Sequence, residues 1–116
     1  MSDFELVIRN AHVVTAADAM HCDIGVSGGR VVALAQNLAT GRTEIDAAGR
    51  YVLPGGVDSH CHLDQPMPAP MKMADDFTSG TRSAACGGTT TVIPFAAQQK
   101  GHSLRAAVED YHRRAD

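Results

Sequence analysis

The chain has no tryptophan, two tyrosines and three phenylalanines, so aromatic residues make up 4% of its 116 positions. Large rings carry much of the buried area in small domains, and their scarcity leaves Ala, Val and Gly to fill the interior. That composition suits helices lying close against a sheet better than a self-contained aromatic core. An excess of basic charge is missing too: ten Lys and Arg stand against thirteen Asp and Glu, a formal net charge of −3. Neither nucleic acid nor an anionic membrane surface is expected as a partner. No stretch approaches the ~20 apolar residues that span a bilayer. The start, Met1-Ser2-Asp3-Phe4-Glu5, lacks the basic lead and apolar run of a secretory signal. Cysteine is sparse and odd in number: Cys22, Cys61 and Cys86, with no C-x-x-C spacing. This argues against a disulfide framework or a structural zinc knot, and for reduced thiols in a cytoplasmic protein.

What is present falls into two parts, 1–53 and 54–116. Residues 4–53 read as short strands joined by turns. Phe4 to Ile8 and His12 to Thr15 are β-prone runs on either side of Asn10-Ala11. Asp23 to Ser27 and Arg30 to Leu34 flank Gly28-Gly29, a strong hairpin signal because primed turns need positive φ. Thr40-Gly41 and Ala47-Ala48-Gly49 supply further turns. The pattern predicts an antiparallel β unit that carries no chemistry.

Pro54-Gly55-Gly56 marks a change. Val57 to Leu63 predicts a strand, and Asp75-Asp76 opens a helix through Cys86, since carboxylates suit the free N–H groups of a first turn. Gly87-Gly88 ends it. Thr89 to Phe95 is a β-prone run, and Ser103 can cap a second helix with Leu104, Ala107, Val108 and Tyr111 on one face. Strand, helix, strand, helix predicts a parallel α/β sheet with right-handed crossovers. Two parallel strands neither close a barrel nor cover both faces of a doubly wound sheet, so this architecture is expected to be unfinished within the chain.

The chemistry is concentrated in Leu53-Pro54-Gly55-Gly56-Val57-Asp58-Ser59-His60-Cys61-His62-Leu63-Asp64-Gln65-Pro66. Residues i and i+2 of a strand share a face, so His60 and His62 project side by side, close enough to reach one ion at ~2.0–2.1 Å. Asp58 has the same parity and can orient a ligand from behind. Cys61 faces away, as a packed thiol. His12, His21, His102 and His112 have no partner at ligand spacing. A lone His-x-His is a weak signal, and its place at the end of the first strand of a β/α series strengthens it.

That motif resembles the first-strand signature of the amidohydrolase superfamily. Ala74-Asp75-Asp76-Phe77-Thr78-Ser79-Gly80-Thr81-Arg82 followed by Gly87-Gly88-Thr89-Thr90-Thr91 is similar to its hydantoinase/dihydropyrimidinase branch, as are Leu6-Val7-Ile8-Arg9-Asn10 and Ile45-Asp46-Ala47-Ala48-Gly49-Arg50. The resemblance implies the start of a (β/α)8 TIM-type barrel preceded by part of a small β-sandwich. It implies two zinc ions in the complete enzyme, with His60 and His62 on the more buried one. The implied reaction is hydrolysis of the cyclic amide bond of hydantoins or dihydropyrimidines to N-carbamoyl amino acids, in a homo-oligomer that is a tetramer by analogy.

Dihydroorotases resemble this pattern but commonly carry Arg two residues after the second histidine. Asp64 stands there and favours a neutral ring, although a role in anchoring the loop is preferred for it. Met67, Met71 and Met73 could line a pocket or simply pack. The remaining metal ligands and the catalytic Asp of the resemblance would lie beyond Asp116, and a closed barrel takes ~250 residues. The chain alone is therefore expected to be inactive, with no catalytic residue of its own. Other readings are a non-catalytic dihydropyrimidinase-like scaffold, an allantoinase or a dihydroorotase.

Overall fold

The computed structural model describes residues 4–116, and the acidic start Met1-Ser2-Asp3 lies outside them. One long strand, β1 (Phe4–Val14), replaces the two runs expected around Asn10. The chain absorbs the turn residue as a bulge: Ile8 faces Ile24 and Ala11 faces Cys22, and Asn10 takes a φ of 53°. Asparagine tolerates that left-handed conformation, and a bulge costs a strand less than a break does. β2 (Ala19–Ser27) and β3 (Arg30–Ala35) form the expected hairpin, with φ of 58° and 68° at Gly28 and Gly29.

The rest of this unit corrects the antiparallel expectation. β4 (Gly41–Asp46) and β5 (Tyr51–Val52) both pair with β1 in parallel, giving a mixed sheet in the order β3-β2-β1-β4 with β5 also on β1. The two are successive pieces of one edge, interrupted where β1 bulges. Across that gap Ala47 N–H donates to the Arg9 carbonyl and Gly49 N–H to the Asn10 carbonyl, at 2.9 and 2.8 Å. Ala48 and Gly49, at φ of 50° and 76°, let the chain swing round without leaving the edge. Ala11, Val13, Cys22, Ile24 and Ala47 form the core, with Ile8, Met20, Val26 and Val52 packed on it. This unit ends at Pro54, and a second compact unit begins at Gly55.

In the second unit β6 (Gly56–Cys61) runs parallel to β7 (Thr89–Pro94), with α1 (Phe77–Cys86) between them and α2 (Leu104–Ala115) after. Asp76 caps α1: its carboxylate accepts Ser79 N–H at 2.7 Å while the Ser79 hydroxyl accepts Asp76 N–H at 3.2 Å. This reciprocal capping box uses Ser where Glu or Gln is usual. Its hydrogen bonds from Ser79 hold the Asp76 carboxyl below the usual carboxylate range. Ser103 caps α2 by accepting Ala106 N–H at 3.1 Å, and His112, Arg113 and Arg114 sit in its last turn, where positive charge is favoured. Cys22, Cys61 and Cys86 are all free thiols. Among the described residues no helix is long and apolar enough to cross a membrane.

Candidate metal centre

β6 stops at Cys61, two residues short of the Leu63 end expected from sequence, and so His60 is the penultimate strand residue while His62 opens the turn beyond. The pairing of β6 with β7 slips between Asp58–Val92 and Cys61–Pro94, which leaves one extra residue on β6 beside His60. Bulges of this kind re-aim side chains at strand ends. The Asp58 carboxylate accepts the His60 backbone N–H at 3.1 Å and thus acts on His60 through the main chain.

The turn itself is pinned on several sides. The Cys61 carbonyl accepts Phe95 N–H at 3.0 Å, and Asp64 N–H donates to the Asp75 carbonyl at 3.0 Å. The Tyr111 hydroxyl of α2 donates to the Leu63 carbonyl. Leu63 is buried, and Gly80 of α1 approaches it so closely that an added Cβ would collide with its side chain. Asp64 has a φ of 43°, a conformation that Asp tolerates better than most residues, and its carboxylate pairs with Arg114 at 3.6 Å. Position 64 therefore anchors the loop through both its amide and its side chain.

On this platform the His60 and His62 rings lie with centres 5.5 Å apart and planes at 61°. Two imidazoles sharing one tetrahedral ion at ~2.0–2.1 Å would have ring centres roughly 5 Å apart, so the spacing suits chelation. Phe95, just past β7, packs on both rings, with centres 4.6 Å from His60 and 5.4 Å from His62. His62 Nδ1 meets Gln65 Oε1 at 2.5 Å. Cys61, on the other side of the strand, is partly buried, and desolvation followed by the charge of Asp58 pushes its thiol pKa up. That makes it a poor source of thiolate. Two imidazoles fill half of a zinc ion's usual four positions, and among the described residues no cluster of three or more His, Cys, Asp or Glu could hold a metal.

Sequence reasoning missed the two closest neighbours of this pair. Phe95 carried a usable signal, since parallel strands put their C-terminal ends side by side. Gln65 carried none, because its contact depends on how the turn folds back. A second imidazole pair was also missed: His12 and His21 face each other across β1 and β2 with ring centres 4.2 Å apart, and Tyr51 stacks on His12 at 4.6 Å. Their planes are tilted by 34°, so the in-plane nitrogen lone pairs run closer to parallel than to convergent. This is an aromatic ladder across three strands rather than a chelate. Met67, Met71 and Met73 line an open depression with Gln65 and Asp64.

The model of an amidohydrolase family matches residues 43–113, well over half of the chain. The chain belongs to the amidohydrolase family. Within that family its likeness is to the hydantoinase/dihydropyrimidinase branch. It is 46% identical to a D-hydantoinase of Streptomyces coelicolor, across 95% of this chain and 25% of that one. It is 41% identical to a dihydropyrimidinase of Rattus norvegicus, across 96% of this chain and 22% of the other. The crystal structure of a D-hydantoinase from Bacillus sp. AR9 superposes with a TM-score of 0.86 at 48% identity, covering 94% of this chain and 24% of that one. The chain thus spans about a quarter of the length of the curated relatives it matches.

Proposed function

We propose that this amidohydrolase chain supplies the opening of a (β/α)8 barrel, residues 54–116, and part of a β-sandwich, residues 1–53, to a metal-dependent hydrolase of cyclic amides. Its substrates would be hydantoins or dihydropyrimidines, opened to N-carbamoyl amino acids. The observation that carries this reading is the His60–His62 pair at chelating distance on the C-terminal end of β6. The hydantoinase and dihydropyrimidinase relatives support the substrate class. Asp64 stands where dihydroorotases commonly carry Arg, and the lack of a cation at that position supports a neutral ring over a carboxylated one such as dihydroorotate. Zinc is the proposed ion, two per complete enzyme, with His60 and His62 on one of them. Bound there, it would act as a Lewis acid that lowers the pKa of a water and polarises the ring carbonyl.

This chain's own residues hold and shape that corner of the site. His60 and His62 would donate ring nitrogens, Asp58 fixes the His60 main chain, and Phe95 packs against both exposed rings. Zinc takes four ligands, and the remaining donors and the proton-shuttling carboxylate must come from elsewhere. The chain alone is therefore proposed to bind zinc weakly and to hydrolyse nothing. The free cysteines support a reducing, cytoplasmic setting. A homo-oligomer is proposed on the resemblance.

The test is zinc titration of the chain followed by residue-resolved NMR, with a ring-opening assay on hydantoin alongside. The His60 and His62 ring signals should move together, and His60→Ala should abolish the His62 response. Rings that ignore zinc would sink the metal reading. Metal-dependent hydantoin opening by these 116 residues, above the His60→Ala control, would overturn the proposed dependence on further ligands.

A further inference from the structure

We infer that Gln65 is a positioning residue that locks His62 in the Nδ1–H tautomer and leaves Nε2 as the only ring atom able to bind a metal ion. The inference deepens the metal reading above and rests on it for its functional meaning. A neutral imidazole has one protonated and one bare nitrogen, and only the bare nitrogen can act as a ligand. Which one is bare is set by the hydrogen bond that the other makes. Here His62 Nδ1 lies 2.5 Å from Gln65 Oε1. An amide oxygen can only accept, so the proton of this contact belongs to Nδ1. The lone pair is then on Nε2, the atom farther from the main chain.

The contact is held by the fold around it. Gln65 follows Asp64, whose left-handed φ of 43° folds the chain back over the strand end. The Asp64 amide bond to Asp75, the Arg114 ion pair and the Tyr111 bond to Leu63 fix that turn from three directions. Gln65 is partly buried while His62 is exposed, so the pinned turn and the three-residue separation, not burial, hold this contact. On the other side Phe95 packs against the His62 ring at 5.4 Å and restricts its rotation. His62 is thus clamped between an acceptor and an aromatic face. Its tautomer is decided before any metal arrives. His60 has a ring contact to Phe95 and no comparable acceptor among the described hydrogen bonds, so the two ligands are unequally prepared.

The experiment is a two-bond proton–nitrogen correlation spectrum of the metal-free protein, recorded at a pH where its imidazoles are neutral. The His62 signals should show a protonated Nδ1 and a bare Nε2. Gln65→Leu removes the acceptor and should return the ring toward the Nε2–H form that free histidine side chains favour. Gln65→Glu keeps an acceptor oxygen and should retain Nδ1–H. Zinc titration in the same tubes should weaken about ten- to a hundredfold at His62 in Gln65→Leu, and much less in Gln65→Glu. His12 and His21 report separately through their own signals and serve as controls. A wild-type spectrum with Nε2–H on His62, or a tautomer indifferent to Gln65→Leu, would overturn the inference. A correct tautomer in a ring that zinc leaves untouched would remove the metal reading and leave the Gln65 assignment standing.

Discussion

The two units of this chain solve the burial problem differently. The first unit surrounds Val7, Ala11, Val13, Cys22, Ile24 and Ala47 with its own sheet and turns, and even buries a charge, Asp23. The second buries Leu63 against Gly80 of α1 and leaves Val57, Ile93, Leu104 and Val108 in the open. A mixed sheet with an antiparallel hairpin can shelter one face with what lies nearby in sequence. A two-stranded parallel sheet cannot, because each of its faces needs covering elements that arrive only through long crossovers. The imidazole pair sits in the second, more open unit. Its geometry is maintained by local pins on one turn and not by a surrounding core.

The sharpest challenge to this contrast is a matched truncation. Ile24→Ala, at a site 5% exposed within the core cluster, should cost about 3 kcal/mol in urea denaturation. Val57→Ala, at a strand position 63% exposed, should stay within roughly 0.5 kcal/mol of wild type. Equal costs at the two sites would erase the distinction between the units.

A somewhat smaller effect is expected at Asp23, which is 7% exposed. It accepts from Arg9 at 2.9 Å, Asn10 N–H at 3.1 Å and Leu38 N–H at 3.2 Å. Burial pushes its carboxyl pKa up, but the Arg9 hydrogen bond and the two amides together outweigh that and hold it below the usual range. Its contribution is therefore present above the unfolded carboxylate pKa near ~4 and is lost as pH falls through the lower folded value. Asp23→Ala strands two amide donors and should cost about 2 kcal/mol at neutral pH. Asp23→Asn keeps an acceptor for an amide, should cost less, and should flatten the acid limb of the stability curve. An acid limb unchanged in Asp23→Asn would assign that pH dependence to other carboxylates.

The smallest effect tests the second unit. Ser103→Ala removes the α2 cap and should cost about 1 kcal/mol, seen as faster amide exchange in the first turn of α2. If Tyr111 near the other end of α2 also loses its bond to Leu63, the pinned turn below His62 depends on the whole helix. Unchanged exchange at Ala106 would mean that the cap contributes nothing.

Much of this molecule was written locally. The Gly28-Gly29 hairpin, the Asp76 and Ser103 caps and the stop at Gly87-Gly88 follow from residue types within a few positions of each other. The one-residue spacing of His60 and His62 is local too, but β6 ends at Cys61, so the approach of their rings also depends on the turn that His62 opens. The parallel edge made by β4 and β5 was not legible. Turn residues reveal where a chain bends and are silent about which strand it joins afterwards.

By itself, the sequence determined the Gly28-Gly29 hairpin, the strand–helix–strand–helix order of the second unit, its helix caps, the spacing of the two histidines and the family likeness, all of which depend on short-range chain geometry or on the residues themselves. Only the tertiary structure decided that β1 carries a bulge and a parallel edge, that His12 stacks on His21, and that Phe95 and Gln65 close around His62. Those outcomes depend on register and on the path of a turn in space. Both are set by contacts between distant or folded-back segments, where the identity of a residue carries no record of its neighbour.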